Sequence, residues 1–298
     1  MPGMEADSSV VEDSETVPPS TNLRSFPLDG ETVPVELFQP IIAHLDAEED
    51  RSALVSLLYT NKTLSSEAEK RLYHTVKLCT SLNQNRRFLE TIVNSPRLAH
   101  YVVEYYIGYN ANQGYASMLF QWLLRDCLRA FVNLTTFSYS VYQDRIVVIS
   151  DLLTGCQFRL KRLIWDRPRD EELLAEFLKT QPDLEELLVD WSNKMTGFIS
   201  QDMCPRLSYL CGNLGAIEAF LPGRNVTRVK WRYSGRLDYV SGDLSLDHLE
   251  EPLGRVETLR LAGDQDRPPL SLFSHLLPAV TVLEICMPTV SRSLLRPF

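Results

Sequence analysis

Several common sequence signatures are absent from this chain of 298 residues. No run of 18 apolar residues could form a membrane-spanning helix, and the N-terminus lacks the basic and then apolar segments of a signal peptide. The six cysteines show no CxxC spacing, and the five histidines are scattered, so no metal site is predicted. We therefore expect a protein of the cytoplasm, the nucleus or both, without a membrane partner.

The motifs of common catalytic and cofactor-binding sites are also absent. The sequence contains no GxSxG, P-loop, GxGxxG or HExxH pattern. A net charge of −9 disfavours a nucleic-acid partner, because phosphate contacts need clustered lysines and arginines. The sequence thus predicts no catalytic residue and no cofactor. The alternative to a non-catalytic protein is an unrecognised enzyme on an ordinary α/β fold.

Residues 1–27 are rich in serine, proline and acidic side chains, with few large apolar groups. Such a segment buries too little apolar surface to offset its ordering entropy. We expect a disordered acidic tail.

Residues 33–78 have a helical pattern. Pro34 suits the first turn of a helix, and Glu36 complements the positive end of the helix dipole. An apolar stripe follows at helical spacing, and Pro40 inside it predicts a kink or a short first turn. A second helix is predicted over 51–59, and a third begins after Thr60 or Asn61 and runs through Val76.

This segment resembles an F-box, the short helical module that docks onto the Skp-type adaptor of cullin-based ubiquitin ligases. Val33-Pro34-Val35-Glu36-Leu37 matches the family's opening of apolar residue, proline, any residue, glutamate and apolar residue. Ile41 to Leu45 resembles the end of the family's first helix. Leu72-Tyr73-His74-Thr75-Val76 is similar to the close of many fungal examples.

The resemblance implies a docking surface for the adaptor and, through it, a link to a cullin. Eight residues would contact the adaptor: Val33, Pro34, Glu36, Leu37, Ile41, Leu45, Leu54 and Leu57. In the alternative interpretation, the same apolar stripe packs on the domain that follows.

A pattern of apolar-x-x-apolar-x-apolar recurs along the rest of the chain. Its copies occupy 102–107, 134–139, 160–165, 184–189, 207–212, 226–231, 256–261 and 280–285. Amphipathic helical stretches at 117–131, 170–180 and 271–277 lie between copies. A period of about 20–30 residues with one strand per repeat is typical of a leucine-rich-repeat solenoid.

We therefore predict an α/β chain with an F-box at 28–78 and an irregular leucine-rich-repeat solenoid of parallel strands and outer helices at 79–298. An ordinary α/β sheet is the competing fold. The combination resembles fungal F-box proteins, which implies a non-catalytic substrate-receptor subunit of an SCF-type ubiquitin ligase. A leucine-rich-repeat scaffold that no longer binds the adaptor is the alternative function.

The positions between the apolar residues of each strand would face the concave surface of such a solenoid. They include five cations that could bind a client: Arg162, Arg228, Lys230, Arg232 and Arg260. Arginines in this arrangement could receive an acidic or phosphorylated peptide of a client protein through bidentate contacts. A solvated charged face is the alternative.

Overall fold

One parallel β-sheet with associated helices organises the chain. The computed structural model describes residues 35–78, 81–110, 118–142, 151–165, 171–192, 199–233, 246–263, 271 and 273–286. Within these ranges nine strands form the sheet, and each strand pairs in parallel with the strand that follows it in the chain. The predicted α/β class is therefore confirmed. The predicted tail at 1–27 lies outside the described residues.

The strands follow one another in sequence and in space. They are β1 Thr75–Leu78, β2 Glu104–Asn110, β3 Thr136–Tyr142, β4 Arg162–Trp165, β5 Glu186–Val189, β6 Tyr209–Gly212, β7 Arg228–Tyr233, β8 Thr258–Gly263 and β9 Val282–Cys286. Each of the eight predicted strand windows overlaps one of these strands. Each of these eight strands begins two residues into its window, because the first apolar residue lies in the turn before the strand. That residue is buried in seven windows, as Leu134 and Leu184 are, and half-buried in the last, where it is Val280.

The first strand, β1, was not predicted. Residues up to Val76 were assigned to the third helix, but that helix ends at His74, and Thr75 already has extended backbone. Thr75 and Val76 are β-branched, which favours a strand. Because Thr75 pairs with Glu104, the sheet begins inside the segment predicted as F-box.

Eight α-helices lie in the described residues. They are α1 Phe38–Ala43, α2 Arg51–Leu57, α3 Lys62–His74, α4 Leu82–Asn94, α5 Met118–Ala130, α6 Glu171–Lys179, α7 Leu214–Phe220 and α8 Glu250–Leu253. The helices predicted at 117–131 and 170–180 are confirmed as α5 and α6. The stretch at 271–277 contains only a 3-10 turn at Ser274–Leu276.

Side chains alternate between the two faces of the sheet, as the period of a strand requires. In β5, Leu187 and Val189 are fully buried, whereas Glu186 and Leu188 are half-buried. The buried positions of the strands join the helices in one apolar core that extends from Val76 to Leu276. The opposite face of the sheet, which we call the open face, carries the first and third residues of each strand.

Buried polar side chains form hydrogen bonds between segments that precede and follow neighbouring strands. Asn213 caps α7 by accepting a hydrogen bond from the Ala216 N–H, and it also bonds both backbone groups of Trp191, with distances of 2.9 Å to each. Arg224 is buried and forms no ion pair with a carboxylate of the described residues, and its guanidinium donates to the carbonyl oxygens of Met203 and Ser200 at 2.7 and 2.6 Å. These bonds satisfy backbone groups that no strand or helix pairs.

Candidate protein interaction sites

The first candidate site is the three-helix unit formed by α1, α2 and α3. Its own core consists of only three buried residues, Ile42, Leu54 and Ala68. Half-buried leucines surround them: Leu45, Leu57, Leu58, Leu64 and Leu72. A core of this size is marginal by itself, so the unit depends on its neighbours in the chain or on a partner.

Local sequence explains how these helices begin. The Asn61 side chain accepts hydrogen bonds from the N–H groups of Thr63 and Leu64 at 3.1 and 3.0 Å, so it is the predicted cap of α3. A 3-10 turn at Val35–Leu37 precedes α1, which agrees with the predicted short first turn. Pro40 is the third residue of α1, where its missing N–H would have had no partner within the helix.

The apolar stripe of α1 divides between core and solvent. Ile42 is buried and Leu45 packs against the small core, whereas Leu37 and Ile41 keep 48% and 55% of their surface exposed. Glu36 is also exposed. Leu37 and Ile41 are thus two neighbouring apolar side chains exposed to solvent at the start of a helical unit of marginal stability. Together they form a surface that a partner could cover.

The predicted adaptor contacts in α2 need correction. Leu54 is completely buried between the helices, so it cannot contact a partner, and Leu57 is half-buried against the same core. Instead, Val55 on α2 and Tyr59 in the turn after α2 are exposed, and Tyr59 keeps 83% of its surface in solvent. Val33 and Pro34 lie outside the described residues.

The second candidate site is the open face of the sheet from β4 to β9. All five predicted client-binding cations lie on this face, at strand positions that alternate with buried residues such as Val229 and Trp231. The sequence pattern therefore identified the face of each strand correctly. It did not reveal what lies beside each cation.

Carboxylates from other strands neutralise most of these cations. Glu186 on β5 lies 3.2 Å from the Arg162 guanidinium and 3.7 Å from that of Arg228. The Arg228 side chain reaches Glu186 across β6, and its guanidinium carbon lies 5.4 Å from the centre of the Tyr209 ring. Burial is the main cause that raises the pKa of the Tyr209 hydroxyl.

The remaining arginines are paired in the same way. Arg232 on β7 reaches Asp190, just beyond β5, at 3.0 Å, and Arg260 on β8 pairs with Glu284 on β9. No ion pair joins Lys230 to another residue in the part of the chain that the structure describes. The open face is thus a mixed-charge surface rather than the simple basic patch that the sequence indicated.

The thiols of the described cysteines show no features of a reactive or metal-binding site. Five cysteines lie in the described residues, and they form no disulfide with one another: Cys127, Cys156, Cys204, Cys211 and Cys286. Burial raises the pKa of Cys127 to about 12 and that of Cys204 to about 11, which disfavours the nucleophilic thiolate. Within the described ranges, no group of three or more potential ligands could hold a metal ion.

None of the described helices has the length and apolar character that a membrane-spanning segment requires.

Comparison with protein-family models finds no match to the chain, and comparison with curated proteins finds none either.

Proposed function

We propose that this chain is the substrate-receptor subunit of an SCF-type cullin ubiquitin ligase. Its helical unit would bind the Skp-type adaptor, and its repeats would bind a client protein. The exposure of Leu37, just before α1, and of Ile41 within α1 carries the proposal, because these residues belong to the segment that resembles an F-box. Burying both side chains against an adaptor would stabilise the complex by roughly 1 kcal/mol each from their exposed area alone.

The sheet supports the second half of the proposal. Nine strands in chain order, each paired in parallel with the next, are what stacked leucine-rich repeats would produce. The open face would then be the concave surface of a solenoid, with Lys230 and the paired arginines available to a client. Arginines held by carboxylates on other strands are pre-ordered, which lowers the entropy cost of binding.

A receptor of this kind needs no catalytic residue of its own. The adaptor and the cullin would connect it to the enzyme that transfers ubiquitin. Holding a client beside that enzyme raises the effective concentration of the client's lysines and converts a bimolecular encounter into a nearly unimolecular one. The cytoplasm and the nucleus are the compartments that we expect for such a subunit.

Leu64 favours a second candidate function. The F-box family commonly has tryptophan at this position, but here Leu64 packs against the small internal core. A repeat protein whose helical unit only caps the sheet, and which acts as a scaffold without the ligase, would need no adaptor surface.

A pull-down distinguishes the two functions. The purified full chain is incubated with a purified Skp-type adaptor and cullin, and the retained proteins are analysed. Retention of adaptor and cullin together supports the receptor function, and cullin should be retained only when the adaptor is present. No retention at micromolar concentration would favour the scaffold.

A further inference from the structure

The cleft at the start of the sheet combines the outer edge of β1 with arginines that form no ion pair among the described residues. It has a volume of about 580 Å³ and separates α2 from α4. Its α2 wall carries Arg51, Val55 and Leu58, and its α4 wall carries Gln84, Arg87, Phe88 and Thr91. The residues of each wall recur at spacings of three and four, so each helix presents one face to the cleft.

The floor of the cleft includes the edge strand of the sheet. Thr75, Val76 and Lys77 are consecutive residues of β1, and all three line the cleft. Successive side chains of a strand point to opposite faces, so a cavity that touches three in a row lies along the strand's edge. β1 pairs only with β2 among the described strands, which leaves the backbone groups of its other edge open to a new strand.

The cleft is positively charged although the whole protein is acidic. Arg51, Arg87 and Lys77 line it, and Glu48 is the one carboxylate among the lining residues. Glu48 lies 3.8 Å from Lys77. Arg51 and Arg87 form no ion pair with a carboxylate in the described residues, in contrast to the arginines of the open face.

Apolar side chains complete the cleft. Phe88 stacks on Tyr73 with ring centres 6.2 Å apart, and on its other side it contacts the buried Tyr105 at 5.3 Å. This aromatic cluster packs against the main core. A ligand for this cleft must combine backbone hydrogen-bonding groups, negative charge and apolar side chains.

We propose that this cleft is the docking site for an extended acidic segment of a partner protein, which adds a strand to the edge of β1. The backbone of the segment pairs with β1, its carboxylates meet Arg51 and Arg87, and its apolar side chains pack on Phe88 and Val55. Strand addition to a sheet edge is a common mode of peptide recognition, with affinity from main-chain bonds and specificity from side-chain pockets. The proposal does not depend on adaptor binding.

Fluorescence anisotropy with a labelled eight-residue peptide of alternating glutamate and valine tests this site on the full chain. The double variant Arg51→Ala, Arg87→Ala should bind the peptide at least tenfold more weakly than the wild type. The control variant Arg86→Ala, Arg206→Ala has the same net charge but loses two arginines that pair with Glu90 and Asp183 outside the cleft, so its affinity should stay within twofold.

Peptides with lysine or glutamine in place of glutamate should bind at least tenfold more weakly than the acidic peptide. Equal affinity for the glutamine peptide, or unchanged affinity in the Arg51→Ala, Arg87→Ala variant, would overturn the proposal. A third full-length variant, Glu12→Gln, Asp13→Asn, Glu15→Gln, tests the chain's own acidic segment. A tenfold gain in peptide affinity in that variant would assign the cleft to that segment instead of a partner.

Discussion

Arg224 should be one of the most stabilising polar residues in the protein. Its side chain is buried, its pKa is lowered chiefly by that burial, and five backbone carbonyls accept its hydrogen bonds. The two shortest bonds join it to Met203 and Ser200, in the segment before β6. Replacing Arg224 with alanine would leave the buried Met203 carbonyl without this donor, whereas the Ser200 carbonyl would keep its bond from the Met203 N–H.

The expected loss can be worked out from these contacts. A buried acceptor without a partner costs about 1–3 kcal/mol and an ordinary hydrogen bond contributes about 1 kcal/mol, so losing the bonds to Met203 and Ser200 costs roughly 3 kcal/mol together. The packing of the alkyl stem and its contact with the Phe220 ring add about 1 kcal/mol. Arg224→Ala should therefore lower the free energy of unfolding by about 4 kcal/mol, against a total of about 5–15 kcal/mol for a typical domain.

Urea unfolding followed by circular dichroism measures this difference. With a slope of about 3 kcal/mol per molar urea, the midpoint of Arg224→Ala should fall by more than about 1 M. Arg206→Ala is the matched control, because Arg206 is exposed and its pair with Asp183 should be worth less than about 1 kcal/mol. If Arg224→Ala lost no more stability than the control, the reasoning about buried carbonyls would be refuted.

Three further predictions concern other buried groups. Asn213→Ala should lower the free energy of unfolding by roughly 2–3 kcal/mol in urea melts, because it removes a helix cap and both bonds to Trp191. Asn213→Asp should lose less unfolding free energy, since it keeps the acceptor oxygen. Burial lowers the pKa of His74, so its neutral form stabilises the fold above the ordinary histidine pKa of about 6.5, and this contribution is lost as the pH falls. The difference in unfolding free energy between wild type and His74→Gln should therefore shrink from pH 7.5 to about pH 5. Cys127 and Cys204 should react with a disulfide reagent at pH 8 only after unfolding, and fast labelling in the native state would contradict their burial.

The sequence predicted the strands well because their pattern is local. An apolar-x-x-apolar-x-apolar window specifies one buried turn residue and two buried strand residues, so windows such as 134–139 could be recognised one at a time. β1 was not predicted because Val76, four residues after Leu72, continues the apolar spacing of α3. Only their pairing with Glu104 and Tyr105 distinguishes a strand there from a last helical turn.

The candidate sites were harder to predict because they depend on contacts between units. The spacing of Leu54 on α2 indicated an apolar face, but only the packing of three helices decides that it points inward and that Tyr59 points outward. The open-face arginines could be assigned to a face but not to partners. Glu186 pairs with Arg228 two strands away. A sequence pattern within one strand cannot show which residues of other strands lie beside it.

The docking surface on α1 is the central claim, and one binding measurement tests it most directly. Isothermal titration calorimetry compares the wild-type chain with Leu37→Asp, Ile41→Asp for binding to a purified Skp-type adaptor. Leu119→Asp on α5 serves as the control, because this exposed apolar residue lies outside the helical unit. The account predicts binding by wild type and control with similar Kd values, and at least a 100-fold loss in the double variant. Absence of binding by the wild-type chain, or equal binding by the double variant, would contradict it.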